Sequence, residues 1–183
     1  MKSDPRFSVV TPSYQQADYL PDNLASISAQ QYDNIEHLVL DGGSDDGTVD
    51  LLREYEASAD HDVWWRSEPD DGQSAAINEG FDRADGDIIG WLNSDDVYVD
   101  TTTLARVVDW FNKTNADVIY GDIAYIDGKS RITEIDVRPE FDRAKLAHRI
   151  LIGQPATFFR QNVLENKRLD TTLNYCMDYE FWI

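Results

Sequence analysis

The stretch "IEHLVLDGGSDDGTVDLLREYEA", from Ile35 to Ala57, decides the fold. Ile35 to Asp41, closed by turn residues, reads as a strand. Thr48 to Ala57 reads as a helix entered through an Asp/Gly/Thr capping region. Between them lies "DGGSDDGT", Asp41 to Thr48, with three acids, three glycines and two hydroxyls. A strand that ends in a tight acidic loop and resumes as a helix is the start of a β-α-β unit.

The loop by itself matches no ion or phosphate motif. For a calcium loop starting at Asp41, Gly43 stands where an acid or amide belongs, Asp46 where glycine belongs, and Leu52 where the bidentate glutamate belongs. For a phosphate loop, Gly42 and Gly47 have the right separation, but Thr48 replaces the lysine and the two aspartates inside would repel a triphosphate. The dinucleotide pattern of spaced glycines is absent. Locally this is a solvated turn, so any function must come from what surrounds it.

Outward from the loop the same alternation repeats. Strands are expected at Phe7 to Pro12, Asp62 to Glu68, Asp87 to Asn93 and Ala116 to Asp122. Helices are expected at Asp18 to Gln30 (apolar face Leu20, Leu24 and Ile27), Ser74 to Ala84 and Thr102 to Lys113. This order predicts an α/β fold, a mostly parallel sheet with helices on both faces. After Asp122 the rhythm breaks. Asp127-Gly128 between alternating runs predicts a hairpin, Gln154 to Arg160 a further strand, and "CMDYEFWI" a terminal amphipathic helix. Trp64, Trp65, Trp91 and Trp110 fall in strand and helix patterns and are expected in the core.

With 183 residues, the chain suits one well-filled domain. Its net charge of -19 disfavours nucleic acid and anionic lipid as broad electrostatic partners. Dispersed acids, mostly aspartate, are what a protein adapted to a high-salt cytoplasm would carry, where ions screen self-repulsion. Cys176 is the single cysteine, so no intrachain disulfide can form, which suits a reducing compartment. No signal-peptide pattern and no stretch of roughly 18 apolar residues is present.

In open α/β sheets ligands bind beyond the carboxyl ends of the strands. The polar clusters fall there: "TPSY" (Thr11 to Tyr14), Asp41 with its glycine loop, "EPDDGQS" and "NSDD" (Asn93 to Asp96). A shared site accounts for all four.

These residues resemble a known family. "VVTPSYQQADYL", "HLVLDGGSDDGTVDLL", "SEPDDGQSAAINEGFDRADGDIIGWLNSDD" and "MDYEFWI" are similar, in order and over nearly the whole chain, to family 2 glycosyltransferases of the GT-A fold. The resemblance implies transfer of a sugar from a nucleotide-sugar donor to an acceptor hydroxyl with inversion, assisted by a divalent metal, Mn2+ or Mg2+. It implies a nucleotide pocket lined by Thr11, Pro12 and Tyr14, with Asp41 accepting a hydrogen bond from the base, typically the uracil of a UDP-sugar. Gly43 permits the close turn, and Asp71, Gly72 and Gln73 close over base and ribose. "NSDD" corresponds to the family's acidic metal motif, with Asn93 at its first acidic position. Asp95 then becomes the metal ligand, with Asn93 and Asp96 orienting ribose or coordinated water. Asp178 matches the general base, while Glu180 would project elsewhere.

Residues 1–96 are expected to form the donor half and 97–183 the acceptor half. The family pattern usually continues past the "FW" pair, so further chain is expected beyond Ile183. The implied acceptor is a glycan or lipid-linked hydroxyl in surface polysaccharide, glycolipid or glycoprotein glycan synthesis, at the cytoplasmic face of a membrane. Any membrane association would run through parts outside this chain. A non-catalytic nucleotide-sugar or metal-binding module is the rival reading, favoured by Asn93 and the early C-terminus. A nucleotidyltransferase is disfavoured by the lack of basic residues near the loops.

Overall fold

The apolar runs become the strands of a six-stranded sheet. A computed structural model describes residues 4–146, 148–173 and 175–183. In chain order the elements are β1 (Phe7–Ser13), α1 (Leu20–Ser28), β2 (Ile35–Asp41), α2 (Thr48–Ser58), β3 (Asp62–Ser67), α3 (Gln73–Arg83) and β4 (Ile88–Trp91). There follow α4 (Thr103–Lys113), β5 (Val118–Tyr120), the hairpin β6 (Ile123–Ile126) and β7 (Ile132–Asp136), α5 (Arg143–Leu146), β8 (Thr157–Arg160) and α6 (Met177–Trp182). The sheet order is β3-β2-β1-β4-β8-β5, with β6 and β7 forming a separate ribbon. β3, β2, β1 and β4 are parallel, and β8 runs antiparallel to both β4 and β5.

Both faces of β1 are buried because helices cover both sides of the sheet. Val10 packs with Ile77, Phe81 and Phe159 on one face, whereas Phe7 and Val9 join Ile27, Leu104 and Phe111 on the other. The chain's last helix belongs to the first of these layers. Phe181 of α6 is 2% exposed and lies 5.9 Å from Phe81 and 5.8 Å from Phe159 between ring centroids. That anchor fixes where the neighbouring Asp178 sits.

Several boundaries differ from expectation, each for a local reason. β1 runs past Pro12 to Ser13, because β2 pairs with it as far as Ser13, whereas β4 pairs only with Phe7 to Val10. Pro12 therefore has a neighbour on one side only, where a missing N–H is tolerated. The strand expected to reach Asn93 stops at Trp91, since the Asn93 carbonyl accepts from Asp96 N at 3.0 Å and from Asn23 Nδ2 at 2.9 Å, turning the chain. Gln154–Ala156 is a 3-10 turn closed by Ala156 N to Gly153 O at 3.2 Å, so β8 begins only at Thr157. The strand expected from Ala116 to Asp122 shortens to Val118–Tyr120. Trp110 is 59% exposed, because α4 buries Leu104, Val107, Val108 and Phe111 instead. Trp91 is in the core, with Trp64 and Trp65 packed partly buried at its margins.

Candidate active site

The carboxyl ends of β1, β2, β3 and β4 lie side by side, and their loops build two adjoining clefts. Asp41, at the end of β2, is fully buried. Its Oδ2 accepts from Gly43 N (3.2 Å), Ser44 N (2.9 Å) and Ser67 Oγ (2.6 Å), and its Oδ1 accepts from Ser44 Oγ (2.6 Å). Three of these donors crowd Oδ2, while Oδ1 accepts once and keeps a second acceptor position. The group expected to receive a base imide is therefore engaged by its own turn. Gly43 must be glycine there: its φ is +84°, and a Cβ would lie 3.1 Å from Pro69 N. The turn thus closes onto the loop after β3.

That second loop is held by Arg66, whose Nη1 donates to the carbonyls of Asp41 and Glu68, both at 3.0 Å, while Nε donates to Glu79 at 2.8 Å. Its Nη2 lies 3.6 Å from Asp70 Oδ2, and Gly72 N donates to Asp70 Oδ1 at 2.9 Å. The outcome is a first cleft of about 300 Å³ bordered by Pro12, Tyr14, Asp70, Gln73, Asn93 and Asp95. Ser13, Gln16, Ala76 and Ser94 complete its wall. Tyr14 is 62% exposed and presents an aromatic ring at the rim.

Asn93 ties this cleft to its neighbour. Its Oδ1 accepts from Trp91 Nε1 (2.9 Å) and Gln73 Nε2 (3.1 Å), and its Nδ2 donates to Gln154 Oε1 (3.1 Å). Gln154 in turn donates Nε2 to the Trp91 carbonyl at 2.5 Å. An amide at position 93 both accepts and donates, which a carboxylate could not do. The departure from the acidic pattern is thus built into the packing.

A second cleft of about 430 Å³ opens on the other side of this crosslink. Asp95, Asp96, Arg138, Gln154 and Asp178 supply its polar lining, and the hairpin strand β6 supplies an apolar wall. Asp95 borders both clefts. Burial, reinforced by the neighbouring Asp95 charge, pushes Asp96 up to about 7. Asp178 sits in the first turn of α6, beside Met177, whose sulfur accepts from Ser74 Oγ at 2.9 Å. Glu180 points to solvent and borders neither cleft.

The expected site residues are thus distributed in three groups. Pro12, Tyr14, Gln73, Asn93 and Asp95 meet at the first cleft, and Asp95, Asp96 and Asp178 at the second. Asp71 and Gly72 are exposed and border neither, because the turn directs Asp70 inward in their place. Thr11 is fully buried, its Oγ1 bonded to His37 Nε2 at 2.9 Å, so it supports the floor without facing the nucleotide pocket. Asp70 and Arg138 were not singled out from the sequence. Asp70 had a signal in "EPDDGQS", the polar cluster at the end of the third strand, whereas Arg138 had none within its own segment.

The arrangement fits a divalent metal held partly by protein and partly by ligand. Among the described residues no group of three His, Cys, Asp or Glu side chains forms a closed metal cage. Asp95 and Asp96 offer adjacent carboxylates, and Asp95 is exposed. A magnesium- or manganese-type ion completes such a shell with water and phosphate oxygens. Asn93 is not the third ligand, since both acceptor positions of its Oδ1 are already used.

Comparison with known proteins agrees with this geometry. An uncharacterized glycosyltransferase of Mycobacterium tuberculosis is 38% identical over 110 residues, 60% of this chain and 41% of the relative. A PGL/p-HBAD biosynthesis glycosyltransferase of Mycobacterium bovis is 30% identical over 160 residues, 87% of this chain and 60% of the relative. The chain therefore spans between 41% and 60% of the length of these curated relatives. Among solved structures, Staphylococcus aureus TarS 1-349 in complex with UDP superposes with TM-score 0.76 at 20% identity, covering 96% of this chain and 53% of that one. A Pyrobaculum calidifontis mannosyltransferase in complex with GDP-Man and Mn2+ gives TM-score 0.72 at 22% identity, covering 94% and 49%. The fold is accordingly of the GT-A type. The profile described as "Glycosyl transferase family 2" matches residues 8–173, and the chain belongs to that family.

Proposed function

We propose that this chain forms the catalytic part of a glycosyltransferase that moves a sugar from a UDP-sugar to an acceptor hydroxyl with inversion. The observation that carries this reading is that two clefts, one rimmed by an aromatic ring and one holding Asp178, share Asp95 at their junction. The nucleotide occupies the first cleft, against Tyr14 and Asp70, with Asp41 fixing the turn that shapes it. The diphosphate lies at Asp95, and the acceptor enters the second cleft.

Asp178 takes the proton from the acceptor hydroxyl. The freed oxygen attacks the anomeric carbon from the face opposite the leaving group. The bond from that carbon to the diphosphate oxygen breaks, and the nucleoside diphosphate departs with the electron pair. One base suffices for this displacement, whereas glycoside hydrolysis needs a carboxylic acid as well. A divalent ion held by Asp95 and Asp96 would stabilise the charge on the departing diphosphate. The complexes of the neighbours, one with UDP and one with GDP-Man and Mn2+, support both the donor class and the metal.

The test compares the wild type with Asp178→Asn. UDP affinity in the presence of Mn2+ should be kept, while release of UDP from the sugar nucleotide should fall by a factor of about 10² to 10⁴. Equal turnover in the two proteins would remove Asp178 from its role. Wild-type binding of UDP without any turnover would favour a non-catalytic nucleotide-sugar-binding module.

A further inference from the structure

Resting on the metal reading of the proposed function, we infer that Asn23 is a positioning residue for the turn that carries Asp95, which it holds from the side of α1 without touching the ligand. Helix α1 buries Leu20, Leu24 and Ile27, and Asn23 interrupts that apolar row with a fully buried amide. Asparagine is a poor helix former and a costly group to bury, so its place in the row calls for partners. They lie 70 and 73 positions further along the chain. Nδ2 donates to the Asn93 carbonyl and to the Asp96 carbonyl, both at 2.9 Å. An amide nitrogen carries two hydrogens, and both are spent on one turn.

The two carbonyls bracket Ser94 and Asp95. Asp96 N also donates to the Asn93 carbonyl at 3.0 Å, so the turn is closed on itself and pinned at both ends to a single nitrogen. Ser94 is buried and Asp95 exposed, which leaves the Asp95 carboxylate standing on a backbone with little freedom. The Asn23 Oδ1 is buried with no donor among the described residues, so only the donating end of the side chain is in use. A carboxylate of the same shape would face two carbonyls with no hydrogen to offer, and an apolar side chain would leave both unpaired. The same segment grips the chain beyond the turn. Ser26 Oγ accepts from Tyr98 N at 3.2 Å, while Gln30 donates to the Asp100 carbonyl at 2.8 Å and accepts from Leu104 N at 3.1 Å. Those contacts miss Asp95 and Asp96, which makes Gln30 a control for a role in folding alone. Groups that orient a metal ligand from behind typically matter about 10- to 100-fold in metal affinity.

Asn23→Ala and Gln30→Ala are compared with the wild type by calorimetric titration of Mn2+ into the chain saturated with UDP, and by thermal unfolding in chelator. Both variants should unfold at lower temperature, since each loses two buried hydrogen bonds to backbone. Asn23→Ala should bind Mn2+ about ten-fold more weakly or worse, whereas Gln30→Ala should stay within about two-fold of the wild type. UDP affinity in chelator should be the same in all three. Amide hydrogen exchange of the metal-free chain supplies a second readout: the Asp96 N–H should exchange about ten-fold faster in Asn23→Ala and at the wild-type rate in Gln30→Ala. Asn23→Ser, which keeps one short donor, takes the place of the alanine variant if that does not fold, with the same ordering against Gln30→Ala expected. Wild-type Mn2+ affinity in a folded Asn23 variant, an equal loss in Gln30→Ala, or unchanged exchange at Asp96 would each overturn the inference. A wild type that binds Mn2+ no better than Asp95→Ala would instead strike the metal reading, and this inference with it, so the two failures are distinguishable.

Discussion

Asn93→Asp restores a carboxylate where the family's acidic pattern has one, and the structure predicts that it harms the protein without ligand. The substitution deletes the Nδ2 donor that now reaches Gln154 Oε1 at 3.1 Å, and sets a carboxylate oxygen against that buried carbonyl. Gln154 cannot rescue the contact by turning its amide, because its Nε2 already serves the Trp91 carbonyl at 2.5 Å. One hydrogen bond is lost and one buried acceptor is left facing another, a cost of about 2 kcal/mol. For a chain of this size that corresponds to a fall of about 4–8 °C in unfolding temperature. A third carboxylate beside Asp95 and Asp96 adds repulsion that a cation would relieve. Mn2+ with UDP should therefore raise the unfolding temperature of the variant by more than it raises that of the wild type. Differential scanning fluorimetry in the presence of chelator, then with Mn2+ and UDP, measures both. A variant as stable as the wild type in chelator would refute the crosslinking role assigned to Asn93.

Other consequences can be checked with equally simple measurements. Burial holds His37 neutral, its value pushed down to about 3, while the unfolded chain takes up a proton near 6.5. The folded state thus binds fewer protons, and stability is lost as pH falls from about 6.5 toward 3, by a little over 1 kcal/mol per unit; urea unfolding of wild type and His37→Gln at pH 7 and pH 5 should show the steeper loss in the wild type. Asp95→Ala should abolish the dependence of UDP affinity on Mn2+ while leaving the fold intact, as calorimetry with and without the metal would reveal. Gly43→Ala forces a side chain into a left-handed turn against the backbone of Pro69, and should cost about 1–2 kcal/mol and weaken UDP binding together. With a net charge of -19, the unfolding temperature should climb steadily with KCl; a flat response would remove the case for adaptation to high salt.

What was legible in the chain follows from the range of the forces involved. Strands β1 and β4 are largely apolar runs covered on both faces, and the helices carry their own periodicity, so near neighbours specify them. The loop clustering was legible too, because a parallel sheet sends all its strand ends to one edge. Side-chain direction within a loop was not. Asp70 and Asp71 are adjacent acids, and only the placement of Arg66 on β3 decides which one turns inward. Asp41 was read as facing a ligand, but its own segment did not show that Ser67, twenty-six positions away, donates to it. Arg138 carries no local pattern at all, and the crosslink that Gln154 makes to Asn93 and Trp91 exists only once the chain has folded.

Asp95 borders both clefts, and the proposed function depends on its holding the metal and diphosphate there. A crystal structure grown with UDP and Mn2+, with data collected at the manganese edge, tests it most directly. The anomalous peak should lie on the Asp95 carboxylate, with the uridine in the cleft bordered by Tyr14, Asp70 and Gln73 and the space beside Asp178 open. A nucleotide seated instead between Arg138 and the β6 hairpin, or manganese bound away from Asp95, would contradict it.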